Sequence, residues 1–178
     1  MVHQATRGRL VSDAELRRFD AVIRAPFGAV GLRTEGVSTE DECIAEILYL
    51  PPGVPEVAPK NRLAREACAQ ISRYLDDPSQ TFALPLKPLG TRYQRRVWDK
   101  IAEIPSGRVR SYGEVARELH SGPRAVGQAC GANYFPLAIP CHRVVASGGI
   151  GGFARNDDGF HIAIKRWLLA HEGIRVPA

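Results

Sequence analysis

The stretch Ile139-Pro140-Cys141-His142-Arg143-Val144-Val145 places a cysteine beside a histidine, directly after a proline. A cysteine attacks as its thiolate, so it needs a group that takes its proton or lowers its pKa. His142 is the nearest candidate, but neighbouring side chains in a helix or strand point apart. Pro140 favours an irregular backbone because it fixes φ and has no N–H donor. We therefore predict a tight turn in which Cys141 and His142 cooperate directly or through a water molecule.

A third group should orient the histidine in such an arrangement. Our candidate is Glu172, in the segment Leu169-Ala170-His171-Glu172-Gly173. A lone Cys-His pair is more often a buried core cysteine beside a structural histidine. The rest of the chain therefore has to decide between the two interpretations.

Length and composition describe a soluble globular chain. Its 178 residues suffice for one or two small domains, and 44% are hydrophobic and 24% charged. No apolar run approaches the ~20 residues of a membrane span, and residues 1–10 lack the apolar core of a secretory signal. The four cysteines show no Cys-x-x-Cys spacing, so we predict no metal site and a reducing compartment.

The charge is basic and uneven along the chain. The formal net charge is +5, and residues 91–143 hold nine lysines and arginines against four acids. This surplus is compatible with a polyanionic partner, although a solvated basic face is the commoner explanation.

The pattern predicts an N-terminal arm over residues 1–18, an α/β domain over 19–88 and a helical domain over 89–178. In the α/β domain, strands flank the turn at Pro26-Phe27-Gly28, and a third strand covers 44–50. Asn61 caps a helix, and alternation at Phe82, Leu84 and Leu86 predicts a last strand. The predicted fold class is α+β, with a small antiparallel sheet followed by a mostly helical domain that contains a helix-turn-helix.

Three short helices begin the second domain. Thr91 starts the first, Ser111 caps the second, and Pro123 is well placed as the first residue of the third. The second and third, joined by a tight turn, are typical of a helix-turn-helix. The third carries small residues on nearly every face, which predicts close approach to another surface. That surface is either the domain interior or the minor groove of a nucleic acid.

The C-terminal segment begins with a glycine-rich loop, 147–153, which we interpret as a close-packed wall. A turn at 156–159 precedes a final helix, about 161–171, whose predicted buried residues are Ile164, Trp167, Leu168 and His171. Gly173 ends this helix. Glu172 then lies at a helix C-terminus, where the dipole disfavours a carboxylate unless a cation is near. A histidine that gains positive charge would supply one.

The residues around Cys141 resemble a known family. Pro140 to Val144, with Asn133 and Arg124-Ala125-Val126-Gly127 before it and residues 168–173 after it, is similar to the 6-O-alkylguanine-DNA alkyltransferases, the methylated-DNA–protein-cysteine methyltransferases. The resemblance covers about residues 91–173. It implies DNA repair by single-turnover transfer of a methyl or alkyl group from O6 of guanine to Cys141, without a cofactor. Alkylated thymine is left open as a second substrate.

The resemblance also implies a role for each matching residue. Cys141 is the alkyl acceptor, His142 is the base linked to it through a water, Glu172 holds His142, and Asn133 braces the cysteine loop. Tyr112 turns the target phosphate and donates to guanine, and Arg124 fills the vacated stack. The remaining residues expected to contact DNA or substrate are Ala125, Gly127, Val144, Ser147, Gly152 and Phe153.

The implied partner is double-stranded DNA, bound through its minor groove with the alkylated guanine flipped out. We expect a monomer, no membrane association, and a cytoplasmic location, or a nuclear one in a eukaryote. The chain departs from the family at Tyr134, where proline is usual, at Gly131, where many members are basic, and in a longer segment at 155–161. These departures concern DNA affinity and the range of alkyl groups.

Three other functions fit parts of the sequence. A non-catalytic alkyltransferase-like damage sensor would lack the cysteine, which Cys141 argues against. A Cys-His-Glu hydrolase would turn over repeatedly and would not need a helix-turn-helix. A transcription factor would need long side chains on helix 123–132 to read base edges, and that helix is poor in them.

Overall fold

The computed structural model describes residues 12–152 and 159–175. Residues 1–11 of the predicted N-terminal arm, Phe153, and residues 156–158 of the turn predicted at 156–159 therefore lie outside the described residues. The chain divides into two units, Met1–Pro88 and Leu89–Ala178. No helix within the two described ranges combines the length and the apolarity needed to cross a membrane.

The first unit contains a three-stranded antiparallel sheet with the order β1-β2-β3. Its tightest turn ends at Gly28, where a Cβ atom would lie 2.3 Å from the Leu50 carbonyl oxygen, so only glycine fits. The Asn61 side chain accepts a hydrogen bond from the Ala64 N–H and caps the helix, as predicted. The elements are α1 (Asp13–Leu16), β1 (Ala21–Ala25), β2 (Gly28–Glu35), β3 (Cys43–Leu50) and α2 (Arg62–Asp76).

The strand predicted from Phe82, Leu84 and Leu86 is wrong. Only Leu86 pairs, in an isolated parallel bridge with Ile44. The segment is held instead by the Gln70 side chain, which accepts from the Ala83 N–H at 2.8 Å and donates to its carbonyl at 3.2 Å. Alternating apolar residues thus mark a chain that lies along the sheet edge without forming a ladder.

The second unit is mostly helical. Thr91 and Ser111 each form a capping box, so the two predicted helix starts are confirmed. Pro123 is the first residue of the third helix, also as predicted. The elements are α3 (Arg92–Ala102), β4 (Arg110–Ser111), α4 (Tyr112–Glu118), α5 (Pro123–Gly131), a 3₁₀ turn (Cys141–Arg143), β5 (Val144–Val145) and α6 (Gly159–His171).

A short parallel pairing, which the sequence analysis did not predict, connects distant parts of this unit. Arg110 pairs with Val144 and Ser111 with Val145. Tyr112 starts α4 immediately after this pairing, and Cys141 lies three residues before it. The pairing therefore fixes the start of α4 beside the cysteine turn.

Helix α6 buries only part of the face that was predicted. Ile164 and Leu168 are buried as expected, but Trp167 and His171 are only half-buried. Their rings stack on each other at 4.7 Å between centroids. The positions that complete the buried face include Leu169 and a lysine, Lys165, whose exposed fraction is 0%.

Candidate active site

Cys141 lies in a tight turn, as the sequence predicted. Its N–H donates to the Ile139 carbonyl at 2.8 Å, and the Arg143 N–H donates to the Pro140 carbonyl at 2.9 Å. The residue is only 4% exposed. A substrate atom must therefore reach the sulfur inside the protein rather than at its surface.

Asn133 braces this turn through three hydrogen bonds. Its amide nitrogen donates to the Ile139 carbonyl at 2.9 Å and to the Cys141 sulfur at 3.2 Å. Its amide oxygen accepts from the Phe135 N–H at 2.9 Å. The Asn133 side chain thus connects the segment after α5 to the cysteine turn, so it does more than cap the helix.

The surroundings of Cys141 keep its thiol protonated. The hydrogen bond with the neighbouring Cys130 thiol and the burial of the sulfur raise the pKa of Cys141 well above its usual value. Asn133 and the charge of Lys165 act in the opposite direction. A thiol that is protonated at rest needs a base close by when it reacts.

His142 and Glu172 form the pair that the sequence predicted. Nε2 of His142 lies 2.8 Å from Oε1 of Glu172, with both side chains buried. Nδ1 of His142 is buried and has no hydrogen-bond partner among the described residues. This nitrogen is therefore the position at which a water molecule could connect the imidazole to another group.

Burial of His142 lowers its pKa, and the charges of Arg143 and Lys165 act in the same direction. The hydrogen bond and the charge of Glu172 raise it, but they do not offset the burial. The imidazole is consequently neutral near pH 7, which is the state in which it can accept a proton.

The cation near Glu172 is an arginine rather than the histidine we expected. The Arg143 guanidinium contacts both carboxylate oxygens: Nε lies 3.0 Å from Oε2, and Nη2 lies 2.9 Å from Oε1. Gly173, with φ of +76°, ends α6 and places Glu172 just beyond its last turn. A permanent positive charge thus stabilises the carboxylate at the negative end of the helix.

Tyr112 lies between the glycine-rich loop and Lys165. Its hydroxyl donates to the Gly152 carbonyl at 3.0 Å, and Lys165 Nζ lies 5.6 Å from its ring centroid. Nζ also donates to the carbonyls of Val144 and Gly152, at 2.7 and 3.0 Å. Burial lowers the pKa of Lys165 to about 8. A Cβ at Gly151 would lie 3.0 Å from the Tyr112 ring, so this part of the loop does form the close wall we predicted.

The residues expected to face DNA differ in exposure. Arg124 is exposed near the start of α5, Ala125 and Gly127 are half-buried, and Ser147 is exposed. Val144 is buried behind the cysteine turn, and Phe153 lies outside the described residues.

Three side chains of this site, Lys165, Arg143 and Cys130, were not predicted from the sequence. Lys165 was detectable as a lysine on the apolar face of α6, where Ile162, Leu168 and Leu169 recur at helical spacing. Arg143 stood inside the quoted motif but was counted only as a basic residue. Nothing in the sequence indicated that Cys130 would meet Cys141, because that contact depends on the path of residues 132–140.

The second unit of the chain matches a known protein family. Residues 92–174 match the family model described as 6-O-methylguanine DNA methyltransferase, DNA binding domain. The methylated-DNA–protein-cysteine methyltransferase of Methanosarcina acetivorans is 39% identical over 112 residues, which cover 61% of this chain and 69% of the relative. The protein of that name from Archaeoglobus fulgidus is 37% identical over 110 residues, which cover 61% of this chain and 75% of the relative.

A solved structure supports the same relationship across most of the chain. Mycobacterium tuberculosis OGT in complex with DNA is similar with a TM-score of 0.68 and 32% sequence identity. The similarity covers 88% of this chain and 94% of that one. On these grounds, the chain belongs to the family of the methylated-DNA–protein-cysteine methyltransferases.

Proposed function

We propose that this protein repairs DNA by direct reversal, moving a methyl or alkyl group from O6 of guanine to Cys141. The proposal is carried by two contacts, Asn133–Cys141 and His142–Glu172, together with a buried His142 Nδ1 that has no hydrogen-bond partner in the part of the chain that the structure describes. The relatives bear the name of this activity.

The reaction begins with the removal of the thiol proton. In our proposal, a water at Nδ1 of His142 receives the proton of Cys141 and passes its own to the imidazole, while Nε2 stays bonded to Glu172. The imidazolium is then stabilised by the Glu172 carboxylate. The sulfur forms its new bond to the alkyl carbon as the bond from that carbon to O6 breaks.

The departing guanine carries away the electron pair of the broken bond and needs a proton donor. Tyr112 is the donor that we propose, because it lies at the start of α4 beside the cysteine turn. Its hydroxyl would exchange the Gly152 carbonyl for the base. The product at Cys141 is a thioether, which these side chains do not cleave, so each molecule acts once.

DNA is the partner that the comparisons favour, since a similar structure was solved in complex with DNA. The buried sulfur is out of reach of a stacked base, so the alkylated guanine must leave the duplex to react. Arg124, exposed near the start of α5, is the side chain that we propose fills the gap. The protein would act as a monomer in the cytoplasm or nucleus, where thiols stay reduced.

A Cys-His-Glu hydrolase is the alternative that shares this geometry, and stoichiometry separates the two. Incubation with duplex DNA that contains O6-methylguanine should leave one methyl group per protein molecule, and peptide mass spectrometry should place it on Cys141. Cys141→Ala should still bind the duplex and take up no methyl group. Repeated turnover, or methylation of Cys130 instead, would refute the assignment.

A further inference from the structure

The carboxylate of Glu172 is shared between two neighbouring residues. Oε1 lies 2.8 Å from Nε2 of His142 and 2.9 Å from Nη2 of Arg143. Oε2 accepts from Nε of Arg143 at 3.0 Å and from the Gly107 N–H at 3.4 Å. The Glu172 side chain is 0% exposed, so these donors take the place of water around the carboxylate.

Arg143 is itself held in place by the backbone. Its Nη1 donates to the Ile104 carbonyl at 2.7 Å, and its side chain is 11% exposed. The guanidinium therefore binds the Ile104 carbonyl, just after the end of α3, on one side and the Glu172 carboxylate on the other. This planar two-point contact is specific to arginine, since a lysine ammonium would offer a single point charge.

We propose that Arg143 is a positioning residue that clasps both oxygens of Glu172 and so fixes the imidazole of His142 with its proton on Nε2 and its Nδ1 free to accept. The inference rests on the proposed function of His142 as the base.

The hydrogen-bond donors around Glu172 determine which nitrogen of His142 carries the proton. Arginine only donates, and it approaches both oxygens of Glu172. With the oxygens occupied in this way, the carboxylate has no favourable place for a proton of its own and acts only as an acceptor. Nε2 of His142 must then be the donor in the 2.8 Å contact. A neutral imidazole has one N–H, so its lone pair lies on Nδ1.

Arg143 also limits how strongly Glu172 acts on the imidazole. Burial and three charged groups influence the protonation of His142: burial, Arg143 and Lys165 disfavour the protonated ring, whereas Glu172 favours it. Loss of the guanidinium charge should raise the pKa of His142, and loss of the carboxylate charge should lower it. The acid limb of the reaction rate should therefore move to higher pH in Arg143→Gln and to lower pH in Glu172→Gln.

The decisive measurement is a ¹⁵N NMR titration of the His142 ring in the full-length resting protein, without DNA. In the native protein, Nε2 should have the chemical shift of a protonated nitrogen and Nδ1 that of an unprotonated one. Arg143→Gln should raise the pKa of His142, and Glu172→Gln should lower it. Arg143→Lys keeps the positive charge but loses the two-point contact with Glu172. It should leave the pKa of His142 near the native value but populate both neutral tautomers of the ring.

A second readout is the rate of alkyl transfer from a free O6-alkylguanine, measured at pH values above the acid limb of the rate profile. Arg143→Lys should slow it about tenfold, because the base is less well oriented, and Arg143→Gln should slow it further. A fall in melting temperature with an unchanged His142 tautomer and pKa would overturn the inference and leave Arg143 a structural residue. If Arg143→Gln does not fold, the tautomer in Arg143→Lys decides the question.

The two proposals fail separately. The titration reports on resting protein, so it can support the role of Arg143 even if no alkyl group reaches Cys141. Conversely, if Cys141 is methylated but the neutral His142 ring carries its proton on Nδ1, the repair function stands and the positioning role of Arg143 is wrong.

Discussion

The pKa of the Cys141 thiol is set by neighbours that act in opposite directions. The hydrogen bond with Cys130 and burial raise its pKa, and Asn133 and Lys165 lower it. A thiol that stays protonated until a substrate arrives is a poor target for stray electrophiles. The cost is that the proton must be removed when the substrate is in place, which is the task we assign to His142.

Replacing Cys130 by alanine should therefore make Cys141 more reactive. The substitution removes the largest cause that raises the Cys141 pKa and leaves Asn133 and Lys165 in place. The thiolate fraction at pH 7 should rise, so iodoacetamide should alkylate Cys141 about threefold to tenfold faster. The measurement is peptide mass spectrometry over time.

Cys43→Ala is the matched control, because it removes a half-buried thiol of the first unit. It should leave the rate at Cys141 unchanged. An unchanged rate in Cys130→Ala would mean that the second thiol does not influence the first.

At this scale, the sequence predicted the candidate catalytic residues better than the side chains around them. Cys141, His142 and Glu172 were proposed because each residue type has a chemical role that a short motif can suggest. Arg143 and Lys165 were missed because a basic side chain is ordinarily a surface group. Only the tertiary structure shows that Lys165 is buried and that Arg143 bonds Glu172.

Among the elements, the helices were predictable from their ends. Thr91, Ser111 and Asn61 each accept the backbone hydrogen bond expected of a capping residue. The pairing of β4 with β5 was not predictable, because two-residue strands carry no periodic signal. The strand wrongly predicted at 82–86 shows the opposite error: its apolar residues alternate, but the segment forms only one isolated bridge, between Leu86 and Ile44.

Helix α5 offers a test of why its glycines are there. A Cβ added at Gly127 would lie 3.9 Å from the Tyr112 ring, which is an ordinary contact. Packing within the domain therefore does not require glycine at this position. Gly127→Ala should raise the free energy of unfolding by about 0.5–1 kcal/mol, since alanine is the better helix former. If α5 lies against DNA, the same change should weaken duplex binding.

Gly113→Ala is the control, because its Cβ would also make only ordinary contacts, at 3.7 Å from Arg117. It should be tolerated by the fold and leave duplex binding unchanged. Denaturant unfolding and fluorescence anisotropy measure the two effects. Full duplex affinity in Gly127→Ala would show that close approach to DNA is not the reason for this glycine.

For the whole molecule, the repair function requires that a buried sulfur meet a base that duplex DNA normally hides. The net charge of +5 provides attraction to the phosphates, which is independent of sequence. Binding alone does not expose the base, so a side chain must stabilise the opened duplex.

Arg124→Ala should separate these requirements. Repair of O6-methylguanine in duplex DNA should slow about tenfold to a hundredfold, whereas reaction with the free alkylated base should be unchanged. The reason is that only the duplex contains a gap to fill. Rates of methyl transfer to Cys141 on both substrates measure the difference.

Arg65→Ala removes the same charge from an exposed position of α2 and serves as the control. It should affect repair of the duplex only slightly, in proportion to its small contribution to the overall charge. Equal losses on duplex and free base in Arg124→Ala would remove the role that we propose for this residue.

The parallel pairing of residues 110–111 with 144–145 also governs where the chain can gain or lose length. An insertion within either pair would slip the register and displace Tyr112 along the segment that leaves Cys141. An insertion between Gly152 and α6 would leave this pairing and the hydrogen bond from Tyr112 to the Gly152 carbonyl in place. During evolution, length variation in this unit should therefore accumulate after Gly152, while the spacing of tyrosine and sulfur is inherited unaltered.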